Sequence, residues 1–155
     1  RRNPMSAYDT LHSPAWEPLL EAAWAARARA HAPYSRFHVG AALAFGDGTV
    51  VGGCNVENAA YPLCTCAERV AMCAAVARGL TAPQALVVVT EAERLTPPCG
   101  ACRQVLIEFA DQLPILLANG KARALHHLAD LLPEAFTPRD LGITMSVQSK
   151  APSVD

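Results

Sequence analysis

The chain is expected to fold as an α/β protein, a mixed sheet covered by helices, on three observations. Two short, wholly apolar runs, Leu86 to Val89 and Pro114 to Leu117, have the length and composition of strands buried on both faces. A helix-like segment precedes each run, so residues 49 to 117 carry a β-α-β-α-β rhythm. Upstream, an alternating apolar segment followed by Gly46-Asp47-Gly48 has the signature of an antiparallel hairpin.

Each element has its own local cause. Between Ser13 and His31, the residues Trp16, Leu19, Leu20, Ala23 and Trp24 recur at helical spacing, with Ser13 suited to the N-cap and Pro14 to the first turn. Phe37, Val39, Ala41, Leu43 and Phe45 alternate along a strand, which the glycine turn returns into Thr49 to Val56. The alanine-rich stretch from Cys66 to Arg78 predicts a second helix, closed by Gly79. Gly100 to Ala110 predicts a third. After Asn119-Gly120 a polar connection leads to Leu128–Leu132 and on to Phe136. No repeat, long linker or low-complexity block divides the chain, and one compact domain is expected. Arg1 to Pro4 precede Met5 and read as a remnant of an expression vector, so they are set outside the fold.

Composition narrows the function classes. With 155 residues, 52% of them hydrophobic, the chain can bury about two-thirds of its unfolded surface. Its 13 Lys and Arg nearly balance 14 Asp and Glu, so no basic field draws it to nucleic acid or an anionic membrane. No apolar run reaches the ~20 residues needed to cross a bilayer, and the N-terminus has no signal-peptide core. A cytoplasmic protein with a small neutral partner is expected, in which six cysteines serve as reduced thiols and metal ligands rather than disulfides.

Two segments carry the chemistry: Thr65-Cys66-Ala67-Glu68 and Pro98-Cys99-Gly100-Ala101-Cys102. Cys99 and Cys102 share one face on the first turn of a helix. Alone they fit a redox pair as well as a metal clamp, and Cys66 tips the reading to metal. Three thiols with no evident fourth protein ligand match a catalytic zinc site, which keeps one position open. Cys66 and Glu68, two apart, converge only near a helix start. Glu68 equally fits a capping box with Thr65, and the two readings stand side by side. Three thiolates weaken zinc as a Lewis acid, so the charge needs an offset. Two helix N-termini, Arg69 and Arg103 are the candidates.

Further segments in fixed order, Tyr34-Ser35-Arg36-Phe37-His38-Val39-Gly40-Ala41-Ala42-Leu43, Gly53-Cys54-Asn55-Val56-Glu57-Asn58, Tyr61, Cys66-Ala67-Glu68-Arg69, Pro98 to Gln104 and Leu131 to Phe136, resemble the zinc-dependent cytidine deaminases of the small homotetrameric type. The likeness spans roughly residues 16 to 142. It implies a cytidine deaminase-like, three-layer α-β-α fold with a mixed five-stranded sheet, formed by residues 13–142, with 1–12 an N-terminal extension and 143–155 a C-terminal tail. It implies one Zn2+ per subunit on Cys66, Cys99 and Cys102, with Arg69 offsetting the thiolate charge. Glu68 then passes a proton from water to N3 of the pyrimidine and on to the departing amine. By the same resemblance Asn55 and Glu57 bind a sugar hydroxyl, a role their amide and carboxylate suit. The Ala67 N–H and the Pro97 carbonyl hold the pyrimidine edge. Phe37 packs on the nucleoside, although its place in the alternating strand points more strongly to the core. Phe136 covers the base of a neighbouring subunit. Tyr61 supports the subunit contact, or simply packs on Pro62.

The implied function is deamination of free cytidine and 2′-deoxycytidine in pyrimidine salvage, by a cytoplasmic homotetramer with shared active sites that engages neither nucleic acid nor membrane. Glu57 would repel a phosphate, which favours a nucleoside. Three alternatives compete: a deaminase of a nucleoside antibiotic such as blasticidin S, a non-catalytic zinc module closed by Cys64 or a histidine, and a nucleic-acid-editing deaminase. Cys54, Cys64 and Cys73 are expected to be non-ligands.

Overall fold

The protein is described here by a computed structural model, which covers residues 6–144. A single 3-10 turn, Pro14–Trp16, leads into helix α1, Glu17–Arg27. The Ser13 side chain accepts from the Ala15 N–H, so the expected cap forms, on the 3-10 turn rather than on the helix proper. The helix ends at Arg27, short of His31, because Ala28 to Ala30 close it with turn hydrogen bonds ahead of Pro33.

Strands β1 (Gly40–Phe45), β2 (Val50–Cys54), β3 (Pro83–Val89), β4 (Pro114–Ala118) and β5 (Arg123–His127) form one sheet in the order β2-β1-β3-β4-β5. Only β3 and β4 are parallel. The sheet is therefore mixed and five-stranded. Helices α2 (Ala67–Ala77) and α3 (Gly100–Ile107) complete the main elements, with the one-turn helix α4 (Leu128–Leu131) after β5.

The expected alternation in β1 sorts residues between two cores rather than between core and water. Ala41, Leu43 and Phe45 face α2 and α3, packing with Ala71, Met72, Leu106, Leu86 and Val88. Ala42 and Ala44 face α1, packing with Trp16, Leu19, Leu20, Ala23, Val87 and Val89. Every β1 residue is buried. The strand starts at Gly40, three residues later than the alternation suggests, because residues 37 to 39 leave the sheet to hydrogen-bond elsewhere. Phe37 is consequently 43% exposed, against the expectation that it joins the core.

Two glycines let the layers close. A Cβ on Gly40 would lie 2.0 Å from the Ala23 carbonyl oxygen of α1, and one on Gly53 would lie 2.4 Å from the Ala71 nitrogen of α2. Backbone touches backbone at both points, which only glycine allows.

Strand β5 occupies residues read from sequence as a polar connection. It pairs antiparallel with β4 from Pro114↔His127 to Ala118↔Arg123. All five of its residues are half-buried, as befits an edge strand, so no apolar run announces it. The signal that marks it is Asn119-Gly120: Gly120 has φ +82°, and the Asn119 side chain accepts from the N–H groups of Lys121 and Ala122, making a tight hairpin turn.

Register brings the two motif-bearing loops together. Gly40 pairs with Cys54 of β2 on one side and Val89 of β3 on the other. The carboxyl ends of β2 and β3 thus flank one residue, and the chain leaving each enters α2 and α3 from the same edge of the sheet. Residues 145–155, most of the expected tail, lie outside the described residues, as do residues 1–5. Among the described residues no helix is long and apolar enough to cross a membrane.

Candidate metal centre and active site

Helix α2 starts immediately after Cys66 and helix α3 immediately after Cys99, each cysteine serving as N-cap in extended conformation. Neither side chain makes a capping bond to its own helix backbone, which leaves both sulfurs free to face each other. Cys66 Sγ lies 3.8 Å from Cys99 Sγ, and Cys99 Sγ lies 3.5 Å from Cys102 Sγ. All three sulfurs fall within 4.8 Å of one another. A tetrahedral zinc with Zn–S bonds of ~2.3 Å separates its sulfurs by about 3.8 Å, so the cluster fits that ion. Among the described residues no other His, Cys, Asp or Glu joins the group. Cys64, the nearest rival in sequence, has its sulfur engaged by the Asn58 N–H at 3.3 Å.

Thr65 does not cap α2. Its hydroxyl turns back to the Leu63 carbonyl, and Cys66 takes the cap position instead, so Glu68 stands at the second helical residue rather than the third. The capping-box reading of Glu68 therefore falls. Its side chain is instead buried, at 4% exposure. Burial pushes its carboxyl up to about 7, aided by the charge on Cys66 and opposed by its own backbone N–H and Arg69. A carboxyl poised near neutrality beside a metal cluster is suited to taking and returning a proton.

The thiols share their charge unequally. Hydrogen bonding from Cys102, followed by the Arg69 guanidinium, holds the Cys66 thiol down to about 5. The same contact and burial push the Cys102 thiol well above its ordinary value. Arg69 Nη2 reaches Cys66 Sγ at 3.7 Å and the Cys64 carbonyl at 3.3 Å, the place expected for a charge offset. Arg103 is not there. Its Nε and Nη1 donate to the Pro98 and Leu131 carbonyls at 2.8 and 2.6 Å, tying the loop before α3 to α4. The expectation that it would reach a thiolate is overturned, because these two carbonyls take its guanidinium instead.

Beside this centre stands a second, purely hydrogen-bonded region. Asn55 and Glu57 follow β2 in an extended segment rather than inside the strand, and Val56 between them bridges to His31 and Thr65. Asn55 Oδ1 accepts from the Val39 N–H at 2.8 Å, and its Nδ2 donates to the Phe37 carbonyl at 2.7 Å. Glu57 Oε1 accepts from the N–H groups of Tyr34 and Ser35, each at 3.0 Å, and Oε2 accepts from the Ser35 hydroxyl. The hydroxyl and amide of Ser35 hold the Glu57 carboxyl below its ordinary value. Tyr34, Ser35, Glu57, Tyr61 and Cys64 line a cavity of about 280 Å³ here. Tyr61 is 67% exposed and meets Tyr34 edge-to-face at 5.7 Å. A larger cavity, about 750 Å³, opens on the α1 side at Leu20, Trp24 and Lys121 and contains none of these residues.

Of the remaining expected contacts, Ala67 is buried as the first residue of α2, where its N–H has no intrahelical partner. Pro97 is half-buried two residues ahead of Cys99. Phe136 is 60% exposed, and Gln104 of α3 donates to its carbonyl at 2.9 Å. Ser35 and Gln104 were quoted in the sequence motifs without a role. Their hydroxyl and amide now have one.

A mixed α/β sheet with three sulfurs gathered at two helix starts and a buried carboxyl beside them has the layout of an enzyme site that could hold a metal ion. The family described as the cytidine and deoxycytidylate deaminase zinc-binding region matches residues 15–117, and the chain belongs to that family. It is 46% identical to the cytidine deaminase of Sporosarcina psychrophila, over 81% of this chain and 93% of that protein. It is 45% identical to that of Mycobacterium tuberculosis, over 81% of this chain and 92% of that one. Among solved structures, the cytidine deaminase of Burkholderia pseudomallei superposes with a TM-score of 0.74 at 50% identity, covering 77% of this chain and 97% of its own.

Proposed function

We propose that the protein hydrolyses free cytidine and 2′-deoxycytidine to uridine and 2′-deoxyuridine, releasing ammonia. The observation that carries this reading is the buried Glu68 carboxyl beside the Cys66, Cys99 and Cys102 sulfurs, in a chain whose relatives are cytidine deaminases. Cys66, Cys99 and Cys102 hold zinc, which supplies, when bound, the Lewis acidity that makes water a nucleophile near neutral pH. Glu68 does the proton work. Its carboxylate takes a proton from the attacking water and delivers it to N3 of the base; it then takes the second proton, from the new C4 hydroxyl, and hands it to the departing amine, so that the C4 carbonyl forms as the C4–N bond breaks. Burial keeps that carboxyl near neutrality, so it gives and receives the proton at little cost.

The Ala67 N–H and Pro97 carbonyl fix the pyrimidine edge in this reading, and Phe37 packs against the nucleoside, consistent with its exposure. A carboxylate has about four acceptor sites and a primary amide two N–H groups. Three of the Glu57 sites and one Asn55 N–H are taken within the chain. One acceptor on Glu57 and one donor on Asn55 remain. That pair suits a single sugar hydroxyl, which gives to the carboxylate and receives from the amide. A site that reads one hydroxyl accepts ribose and deoxyribose alike, and the anionic Glu57 disfavours a phosphorylated sugar.

The exposed Phe136 and Tyr61 support the reading that sites are shared in a homotetramer, Phe136 covering a neighbour's base and Tyr61 backing the subunit contact. A cytoplasmic role in pyrimidine salvage follows from the substrate. The balanced charge argues against a nucleic-acid substrate, and the named relatives favour cytidine over an antibiotic nucleoside.

The test is ammonia release by the zinc-loaded protein, assayed in parallel with cytidine, 2′-deoxycytidine, cytidine monophosphate, blasticidin S and a cytosine-containing single strand. Turnover of the two free nucleosides well above the others is expected. A zinc-loaded protein that leaves both nucleosides untouched overturns the proposal.

A further inference from the structure

The wall formed by residues 34 to 39 has no regular structure, yet it is tied down at nearly every residue. Its N–H and carbonyl groups bond inward to two side chains on one extended segment: Tyr34 and Ser35 to Glu57, Phe37 and Val39 to Asn55. Backbone bonds fasten the same segment from both sides, from the His31 N–H to the Asn55 carbonyl and from the Glu57 N–H to the His31 carbonyl. Within this mesh one side chain touches both halves. The Ser35 hydroxyl donates to Glu57 Oε2 and accepts from the Phe37 N–H at 3.0 Å.

We propose that Ser35 is a positioning residue for substrate recognition, acting through Glu57 and Phe37 rather than on the substrate itself. The inference rests on the nucleoside reading above. Ser35 supplies two of the three donors that orient the Glu57 carboxylate, its own N–H to Oε1 and its hydroxyl to Oε2. With an oxygen pinned on each side, the carboxylate cannot rotate, and its remaining acceptor site points in one direction. The same hydroxyl holds the amide of Phe37 and so sets where the exposed ring stands. The carboxylate that reads the sugar and the aromatic that packs on the nucleoside are therefore oriented by one oxygen atom.

Replacing Ser35 by Ala removes the hydroxyl but keeps the amide bond to Oε1. The Glu57 carboxylate then gains a rotational freedom, and the cost falls on binding before it falls on chemistry, because neither Glu57 nor Phe37 touches the reacting carbon in this reading. Ser35→Ala is expected to raise KM for 2′-deoxycytidine about tenfold while kcat changes less than about threefold. A general loss of folded protein lowers apparent kcat and leaves KM alone. The sharper readout is discrimination against 2′,3′-dideoxycytidine, which lacks one sugar hydroxyl. The ratio of kcat/KM for the two substrates is measured on a single preparation, so the fraction of active enzyme cancels.

The native enzyme is expected to show a large ratio, Ser35→Ala a ratio several-fold smaller, and Ser35→Thr, which keeps the hydroxyl, most of the native value. An unchanged ratio in Ser35→Ala, or a loss in Ser35→Thr equal to that in Ser35→Ala, overturns the role of Ser35 while leaving the deaminase reading intact. A native enzyme that turns over neither cytidine nor 2′-deoxycytidine overturns the deaminase reading and this inference with it. A native enzyme active on cytidine that treats the two test substrates alike overturns the inference alone.

Discussion

The two halves of the candidate site are built on opposite plans. Around the cysteines, geometry comes from regular structure: two helices begin at one edge of the sheet, their caps supply two of the sulfurs, and the first turn of α3 supplies the third, Cys102. Around the proposed sugar contacts, geometry comes from irregular chain held by side chains, with Asn55 and Glu57 bonding four backbone N–H and C=O groups plus one hydroxyl. The first plan tolerates no substitution because a metal needs every ligand. The second is graded, because each hydrogen bond to the wall carries only a share of its position. In the proposed function, chemistry that must not be misplaced sits on the rigid plan, and recognition that must accept related sugars sits on the graded one.

Mutations test that contrast directly. Cys102→Ala is expected to have the largest effect: metal analysis finds zinc lost and activity falls below detection, since two thiols cannot hold a catalytic zinc. The melting temperature should fall too, because a zinc held by Cys66, Cys99 and Cys102 would join the start of α2 to the start of α3 in the folded state alone, and a strong chelator added to the native protein should reproduce that fall. Glu68→Gln comes next. It should keep its zinc and its melting temperature while kcat drops on the order of 10³-fold, since the amide cannot carry the proton. Retained turnover in Glu68→Gln would show that proton transfer runs through another group.

On the graded side, Glu57→Gln should raise KM on the order of tenfold with kcat nearly preserved, measured by initial rates over a range of substrate concentrations. A collapse of kcat equal to that of Glu68→Gln would erase the distinction between the halves. The smallest effect is expected at Arg103→Ala, which removes the bonds to the Pro98 and Leu131 carbonyls without touching a sulfur. A loss of about 1 to 2 kcal/mol in denaturant unfolding is expected, with zinc retained.

The same contrast explains what the sequence disclosed. The rigid half was legible because helix starts, buried strands and the Cys-x-x-Cys spacing are local patterns, and local patterns set its geometry. The graded half was legible in residue type only. Nothing near Asn55 or Glu57 in the chain says that their partners stand about 20 residues upstream, and the period-2 pattern through Phe37 misplaced that ring in the core. Thr65 and Glu68 show a pattern outcompeted: the spacing suits a capping box, but Cys66 took the cap. Arg103 shows adjacency misleading, since a neighbour in sequence on a helix points elsewhere in space. Strand β5 was missed because an edge strand need not be apolar, although Asn119-Gly120 signalled the turn that starts it.

Gly53 has a consequence for anyone mapping this protein by saturation mutagenesis. Any side chain there would press on the α2 backbone, 2.5 Å from the Ala67 carbonyl oxygen and 2.4 Å from the Ala71 nitrogen. Ala67 is the first residue of α2, so a chain that cannot seat this helix against β2 cannot assemble the fold around it. In a fitness landscape Gly53 should score as badly as the cysteines. Its variants would reveal themselves by the yield of folded protein rather than by the turnover of the molecules that do fold, and a screen that reads only total activity would mistake a spacer for a catalyst.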